Sequence, residues 1–255
     1  MTVAIIIPAR FESIRFPGKP LANIGGKPII EWVVNAACGS KLADKIIVAT
    51  DHKKIFDFVN VRAGHDLLSK RVEAYMTLKD HKCGTDRISE VVRQNPEIKY
   101  IVNLQGDEPM MPSEYIDKVL EPLLTHGHAM ASLVTPITNE EELNNSNIVK
   151  AVMDKNGFAI YFSRSSIPYT RTSGPQNLRA CFKHTGIYAY TRETILEFSL
   201  LPQSSLEITE QLEQLRALEN GIKIKLEVVP KSYPAVDRPE DVKVIEEILM
   251  LLKAT

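Results

Sequence analysis

Three cations, Arg10, Arg15 and Lys19, fall within ten residues of one another in Pro8-Ala9-Arg10-x-x-Ser13-x-Arg15-x-Pro17-Gly18-Lys19-Pro20-Leu21. Backbone N–H groups of a Gly- and Pro-rich loop can face a polyphosphate, while arginine forks and a mobile lysine neutralise its charge. The pattern is neither a Walker A loop nor a Rossmann glycine fingerprint. A solvated basic loop is the competing reading. Its place directly after an apolar run at 3–7 favours a phosphate site at the end of a first strand.

Two aspartates offer the complementary chemistry. Asp107 follows the apolar run 100–104 and Gln105-Gly106, which puts its carboxylate at the carboxyl edge of a strand. Asp237 stands just before Arg238-Pro239-Glu240. Displacement at a phosphorus centre builds charge on phosphoryl oxygens, and Mg²⁺ held by one or two carboxylates plus substrate oxygens is the usual answer. The alternatives are a turn aspartate at Asp107 and a helix cap at Asp237. Glu108 and Asp241 read as supporting residues.

The elements that must position these groups alternate. Apolar runs at 3–7, 45–50 and 100–104 read as strands buried on both faces, the first ending at Pro8. Runs 29–37, 53–61 and 115–124 carry helical spacing. Repeated strand, loop and helix imply βαβ units, hence an α/β fold with a Rossmann-like, mostly parallel sheet flanked by helices. The site should then lie beyond the carboxyl ends of the strands. Gly84-Thr85-Asp86-Arg87 reads as a loop opening a helix, with Thr85 a candidate N-cap. The second half is β-rich, with strands expected at 130–136, 150–154, 159–163, 184–190 and 222–229. A hairpin turn is expected at Asp154-Lys155-Asn156-Gly157. One long helix is expected at 205–221 and a closing amphipathic helix at 239–253. No linker stands out, so 1–255 reads as one domain: a nucleotide-binding half at about 1–125, a sugar-binding and dimerisation half at about 126–235, and the closing helix.

The 255 residues are 44% apolar and 25% charged, as in an ordinary globular chain, and the formal net charge is −1. That balance gives no overall attraction to nucleic acid or an anionic membrane, so phosphate binding must be local. Cys38, Cys83 and Cys181 form neither a disulfide framework nor a metal-ligand spacing. There is no apolar run long enough to span a bilayer and no recognisable export signal. A cytoplasmic protein is the expectation.

Further segments complete an ordered set: Ala49-Thr50-Asp51, Gly84-Thr85-Asp86-Arg87, Asn103-Leu104-Gln105-Gly106-Asp107-Glu108-Pro109, Tyr161-Phe162-Ser163-Arg164, His184-x-Gly186-Ile187-Tyr188-Ala189-Tyr190, Leu212-Glu213-Gln214-Leu215-Arg216 and Val236-Asp237-x-Pro239. Together with the basic loop they resemble the CMP-Kdo synthetase family, cytidylyltransferases of the nucleotide-sugar pyrophosphorylase superfamily, from nearly the first residue to the last helix. The resemblance implies transfer of CMP from CTP to 3-deoxy-manno-octulosonate (Kdo), an acidic ketose sugar, for lipopolysaccharide biosynthesis. It implies a homodimer, with neither nucleic acid nor membrane as partner. It assigns Pro8, Ala9, Arg10, Ser13, Arg15, Lys19, Gly84, Thr85 and Arg87 to the nucleotide, with Arg10, Arg15, Lys19 and Asp107 catalytic. It makes Asp107 and Asp237 Mg²⁺ ligands, and it gives Gln105, Arg164, His184, Tyr188, Glu213 and Gln214 to the sugar.

By residue type alone, His184 reads as a structural histidine, and Glu213 and Gln214 as solvent-facing neighbours pointing about 100° apart. Three positions depart from the family pattern. Cys83 stands where serine is usual, Arg238 where threonine is common, and the 61–72 stretch with Arg62, Lys70 and Arg71 is longer, which reads as an enlarged surface loop. The same chemistry on 8-amino-Kdo or a sialic acid, a pyrophosphorylase using a sugar 1-phosphate, and a non-catalytic nucleotide-binding relative are the alternatives. Retention of Lys19, Asp107 and Asp237 speaks against the last.

Overall fold

A computed structural model describes residues 1–13, 15–63, 71–169, 171 and 175–253. The chain divides into two compact units: Met1–Asp117 together with the chain from Tyr233 onward, and Lys118–Ser232.

The first unit is built on strands β1 (Thr2–Ala9), β4 (Lys45–Thr50), β5 (Val72–Met76) and β6 (Ile98–Asn103). They lie in the order β6-β1-β4-β5, every pairing parallel. Ala4 to Ile7 of β1 and Ile46 to Ala49 of β4 are fully buried, as the unbroken apolar runs require of strands covered on both faces. β1 does not stop at Pro8 but pairs through Pro8 and Ala9 with Ala49 and Thr50. Proline is compatible with an extended backbone and forfeits only its N–H. A small hairpin, β2 (Asn23–Ile24) with β3 (Lys27–Pro28), leads into helix α1 (Ile29–Cys38). Helices α2 (Lys53–Ala63) and α3 (Gly84–Gln94) and the closing α9 (Pro239–Lys253) complete the unit.

The strand β5 carries no clear period-2 pattern and is half exposed, which is why the sequence did not announce it. Residues 64–70 of the long 61–72 stretch lie outside the described residues. Just after them, Arg71 donates to the carbonyls of Cys38 (2.5 Å) and Ala43 (2.9 Å).

Helix α4 (Ser113–His126) leads across the divide. In the second unit, β7 (Met130–Pro136) pairs parallel with β11 (Ile224–Val228) and antiparallel with β10 (Phe182–Thr191). Strand β8 (Lys150–Met153) pairs antiparallel with β10 and with β9 (Ala159–Ser163). The β8–β9 turn is the expected one: Asp154 Oδ1 accepts from Asn156 N and Phe158 N, and Gly157 takes φ +78°. Short helices α5 (Glu140–Asn144) and α6 (Arg192–Phe198) lie below the length at which helical period is legible.

The single helix expected at 205–221 is instead α7 (Ser205–Glu210) and α8 (Gln214–Glu219), broken at Gln211, which takes a left-handed φ of +53°. Arg216 reaches back to Glu207, Nε to Oε2 at 2.8 Å and Nη2 to Oε1 at 2.5 Å, both side chains nearly sealed from solvent. Residues nine apart on a straight helix would lie about 13 Å apart along its axis. The buried ion pair therefore requires the break. Taken together, the molecule has the mixed α/β fold with a mostly parallel sheet and a β-rich second half that the sequence implied.

Candidate functional site

The chain leaves β1, runs through α1 to β4 on one side, and later returns in β6 on the other. The crevice at such a switch point lies at the carboxyl ends of β1 and β6. A cavity of about 400 Å³ opens there, lined among others by Pro8, Ala9, Arg10, Ser13, Arg15, Lys19, Gly84, Gln105 and Asp107. Gly106 also lines it, and a Cβ there would lie 2.7 Å from the Pro8 carbonyl oxygen, so only glycine lets the two backbones approach this closely.

The basic loop is folded onto the end of β4. Phe11 stacks on His52 with centroids 3.9 Å apart and planes within 10°. Gly18, at φ +72°, donates its N–H to the Phe11 carbonyl at 2.8 Å and turns the chain into the short helical turn Lys19–Leu21. Lys19 is thereby aimed inward. Its Nζ lies 2.6 Å from Asp107 Oδ2 and 2.9 Å from the Val236 carbonyl, and Val236 N in turn donates to the Asp107 carbonyl at 2.8 Å. Arg15 lies 3.2 Å from Asp237 Oδ1, both exposed. The Arg10 Nη2 is buried with no hydrogen-bond partner among the described residues. A buried guanidinium N–H without an acceptor is costly, and a phosphate oxygen is the acceptor its geometry suits.

Asp237 is not a helix cap. Asp241 Oδ2 instead accepts from the backbone N–H of Asp237 and of Arg238, each at 2.7 Å, and closes the first turn of α9. That leaves the Asp237 carboxylate for Arg15 and for solvent. Glu108 is pushed up to about 8, by burial first and by the Asp107 charge second, so it stands largely neutral beside the anionic Asp107.

Two assigned nucleotide residues do not line the cavity. Thr85 is buried inside α3, and the cap of that helix is Cys83, whose Sγ accepts from Asp86 N at 3.4 Å. The Cys83 side chain thus does serve the backbone, at the long range of a sulfur acceptor. Arg87 is 0% exposed, with Nη2 2.6 Å from Asp51 Oδ2 and Nη1 bonded to Thr77 Oγ1 and, at 3.3 Å, to the Leu78 carbonyl. Burial draws its pKa down, against Asp51, and the Arg10 charge acts in the same downward direction. Arg87 therefore ties α3 to the ends of β4 and β5 behind the cavity. The sequence reading quoted Asp51 within a motif but gave it no role, and it missed Phe11 and His52.

In the second unit, His184 and Tyr188 come together on β10, ring centroids 5.2 Å apart, with Phe162 edge-on to His184 at 5.2 Å. Burial draws His184 down to about 4, so it is neutral at pH 7. Burial, and then the nearby Glu213 charge, hold the Tyr188 phenol well above its ordinary value and protonated. The break between α7 and α8 brings Glu213 to this group, and Gln214 is buried with its Nε2 unpartnered among the described residues. Gln214 is thus not the solvent-facing residue its type suggests. Arg164, at the end of β9, is held by Glu210: its N–H donates to Oε2 and its Nε to the backbone carbonyl, both at 2.9 Å. Its own carbonyl, with those of Asn145 and Ile148, accepts from the fully buried Lys150 ammonium at 2.6 to 2.8 Å.

Among the described residues no helix is long and apolar enough to cross a membrane. The family described as Cytidylyltransferase matches residues 4–224. A 3-deoxy-manno-octulosonate cytidylyltransferase of Thermodesulfovibrio yellowstonii is 42% identical, over 98% of this chain and 98% of its own. The enzyme of that name from Fusobacterium nucleatum is 44% identical over 97% and 96%. The solved structure of CMP:2-keto-3-deoxy-manno-octonic acid synthetase complexed with CTP superposes with a TM-score of 0.90 at 35% identity, covering 98% and 99% of the two chains. The 4-diphosphocytidyl-2C-methyl-D-erythritol synthase of Anaerococcus prevotii, at 13% identity and a TM-score of 0.64, shares the fold alone. The chain belongs to the cytidylyltransferase family, and within it to the 3-deoxy-manno-octulosonate cytidylyltransferases.

Proposed function

We propose that this enzyme activates Kdo with CTP, giving CMP-Kdo and pyrophosphate. The observation that carries the reading is the cation-lined cavity at the β1–β6 switch point, where Arg10 presents a buried, unpartnered Nη2 and Lys19 stands against Asp107. The anomeric hydroxyl of the sugar attacks the α-phosphorus. The new bond joins sugar oxygen to phosphorus, the bond to pyrophosphate breaks, and the hydroxyl proton leaves to solvent. Arg10, Arg15 and Lys19 hold the triphosphate and meet the charge gathering on the departing pyrophosphate, so rate comes from positioning and electrostatics. Gly84 and the Pro8–Ala9 edge shape the nucleotide side, and Thr85 and Arg87 support it from beneath. In the second unit Arg164, His184, Tyr188, Glu213 and Gln214 take the sugar's carboxylate and hydroxyls; Gln105, which the resemblance also gives to the sugar, lines the cavity of the first unit.

Asp107 and Asp237 suit Mg²⁺. Both are hard oxygen donors, with Lys19 beside Asp107 and Arg15 beside Asp237, and Val236 links their backbones. Among the described residues there is no cluster of three acidic, His or Cys side chains able to hold a metal, so substrate oxygens and water would have to complete the shell. When bound, the ion withdraws charge from the phosphoryl oxygens. The homodimer rests on the family resemblance, and light scattering would test it by mass.

The direct experiment measures pyrophosphate release from CTP and Mg²⁺ with Kdo, 8-amino-Kdo and a sialic acid. Release with Kdo is expected. Release with another acidic sugar alone would move the specificity, and silence from a folded, CTP-binding protein would refute catalysis. Asp107→Asn should lower turnover by orders of magnitude with the fold intact. A near-normal rate would remove Asp107 as a metal ligand.

A further inference from the structure

The β10–β7 ladder is interrupted beside His184. Thr185 faces Leu133 and Tyr188 faces Ser132, so Gly186 and Ile187 arch out of register between them. The arch turns two carbonyls toward the fully buried Ser132 hydroxyl: Ile187 O at 2.8 Å and Thr185 O at 3.3 Å. The third neighbour of the same oxygen is His184 Nε2, at 2.9 Å.

A hydroxyl has one proton and a carbonyl oxygen can only accept. The Ser132 proton therefore goes to the carbonyls, with Ile187 O the better placed. What the serine oxygen offers His184 is a lone pair. The facing ring nitrogen must then be the donor. The opposite arrangement, with Ser132 donating to an unprotonated Nε2, would set the serine lone pairs against two carbonyl oxygens. The ring is neutral, as its burial and the drawn-down pKa require, so it carries a single N–H.

We propose that Ser132 is a positioning residue that fixes His184 in the Nε2–H tautomer, leaving Nδ1 as an acceptor for a hydroxyl of the sugar substrate. This rests on the reading of His184 as a sugar contact. The chemical consequence is selective. A bare Nδ1 takes a hydroxyl or ammonium proton and repels a carboxylate oxygen, so the carboxylate of the acidic sugar is bound by other groups. The arch is what makes the device possible, because a regular ladder would spend these carbonyls on strand pairing.

The test begins with side-chain ¹⁵N spectroscopy of the full-length protein, the His184 signals assigned by their loss in His184→Phe. The expected spectrum has a protonated Nε2 and an unprotonated Nδ1. In Ser132→Ala, a near-isosteric change, the two tautomers should mix. The KM for Kdo should rise about twofold, the inverse of the fraction left in the competent tautomer when the two mix about equally, with the KM for CTP unchanged. An unprotonated Nε2 in the native protein, or an unaltered tautomer in Ser132→Ala, overturns the proposal whatever the kinetics. The expected spectra with an unchanged KM for Kdo in both variants overturn its substrate half, and place the failure in the reading of His184 as a sugar contact.

Discussion

Asp51→Ala should be among the most damaging single changes outside the cavity lining. Arg87 is 0% exposed and its ion-pair partner among the described residues is Asp51, 12% exposed at its side chain, at 2.6 Å. Thr77 and the Leu78 carbonyl add acceptors but no charge, and Arg87 Nε has none among the described residues. Removing Asp51 leaves a guanidinium buried without compensation, a change that costs about 3–5 kcal/mol. Arg10 already weighs on Arg87, so the freed positive charge is felt at the phosphate loop as well, where it favours an anionic ligand, and in protein that stays folded the KM for CTP should not rise. Urea unfolding followed by Trp32, the only tryptophan, reports on the correct unit, since its Nε1 is bonded to the Ile24 carbonyl at 2.9 Å. The double change Asp51→Leu with Arg87→Met removes both charges and should recover most of the loss. A loss below about 1 kcal/mol in Asp51→Ala, or a double variant as unstable as the single, would refute the buried-pair argument.

Cys83→Ser should strengthen the α3 cap, replacing a sulfur acceptor at 3.4 Å by a hydroxyl, and raise stability in the same urea titration by about 0.5–1 kcal/mol. No gain, or a loss, would mean that the thiol contributes packing the hydroxyl cannot. Acid should also act through His184. Its folded value of about 4 lies below the ordinary 6.5, so the unfolded chain binds a proton the folded one refuses. That stability is fully present above about pH 6.5, falls as pH drops toward 4, and amounts to at most about 3 kcal/mol. His184→Gln should flatten the stability–pH curve in that window, and parallel curves would refute the assignment. Gln211→Gly should relieve the left-handed φ of +53° and stabilise by about 1 kcal/mol by thermal unfolding, unless the side chain makes an offsetting contact.

The sequence determined what local chemistry and periodicity can carry. Unbroken apolar runs such as 45–50 declare buried parallel strands because a strand covered on both faces has no polar side to show. The ordered motifs declared the family because loop glycines, cations and aspartates must each fall at a strand end. What only the tertiary structure decided depends on residues far apart in the chain. Asp241, the third residue of α9, bonds back to the N–H groups of Asp237 and Arg238, and the Asp237 carboxylate is left to Arg15. Arg87 is drawn behind the cavity by Asp51, thirty-six positions earlier. The 205–221 segment reads as one helix, yet burying Glu207 against Arg216 bends it back, and Gln214 is buried rather than solvent-facing. Propensity is local, whereas desolvating a charge demands a partner wherever the fold can supply one. These are the places where the fold overrode the local pattern.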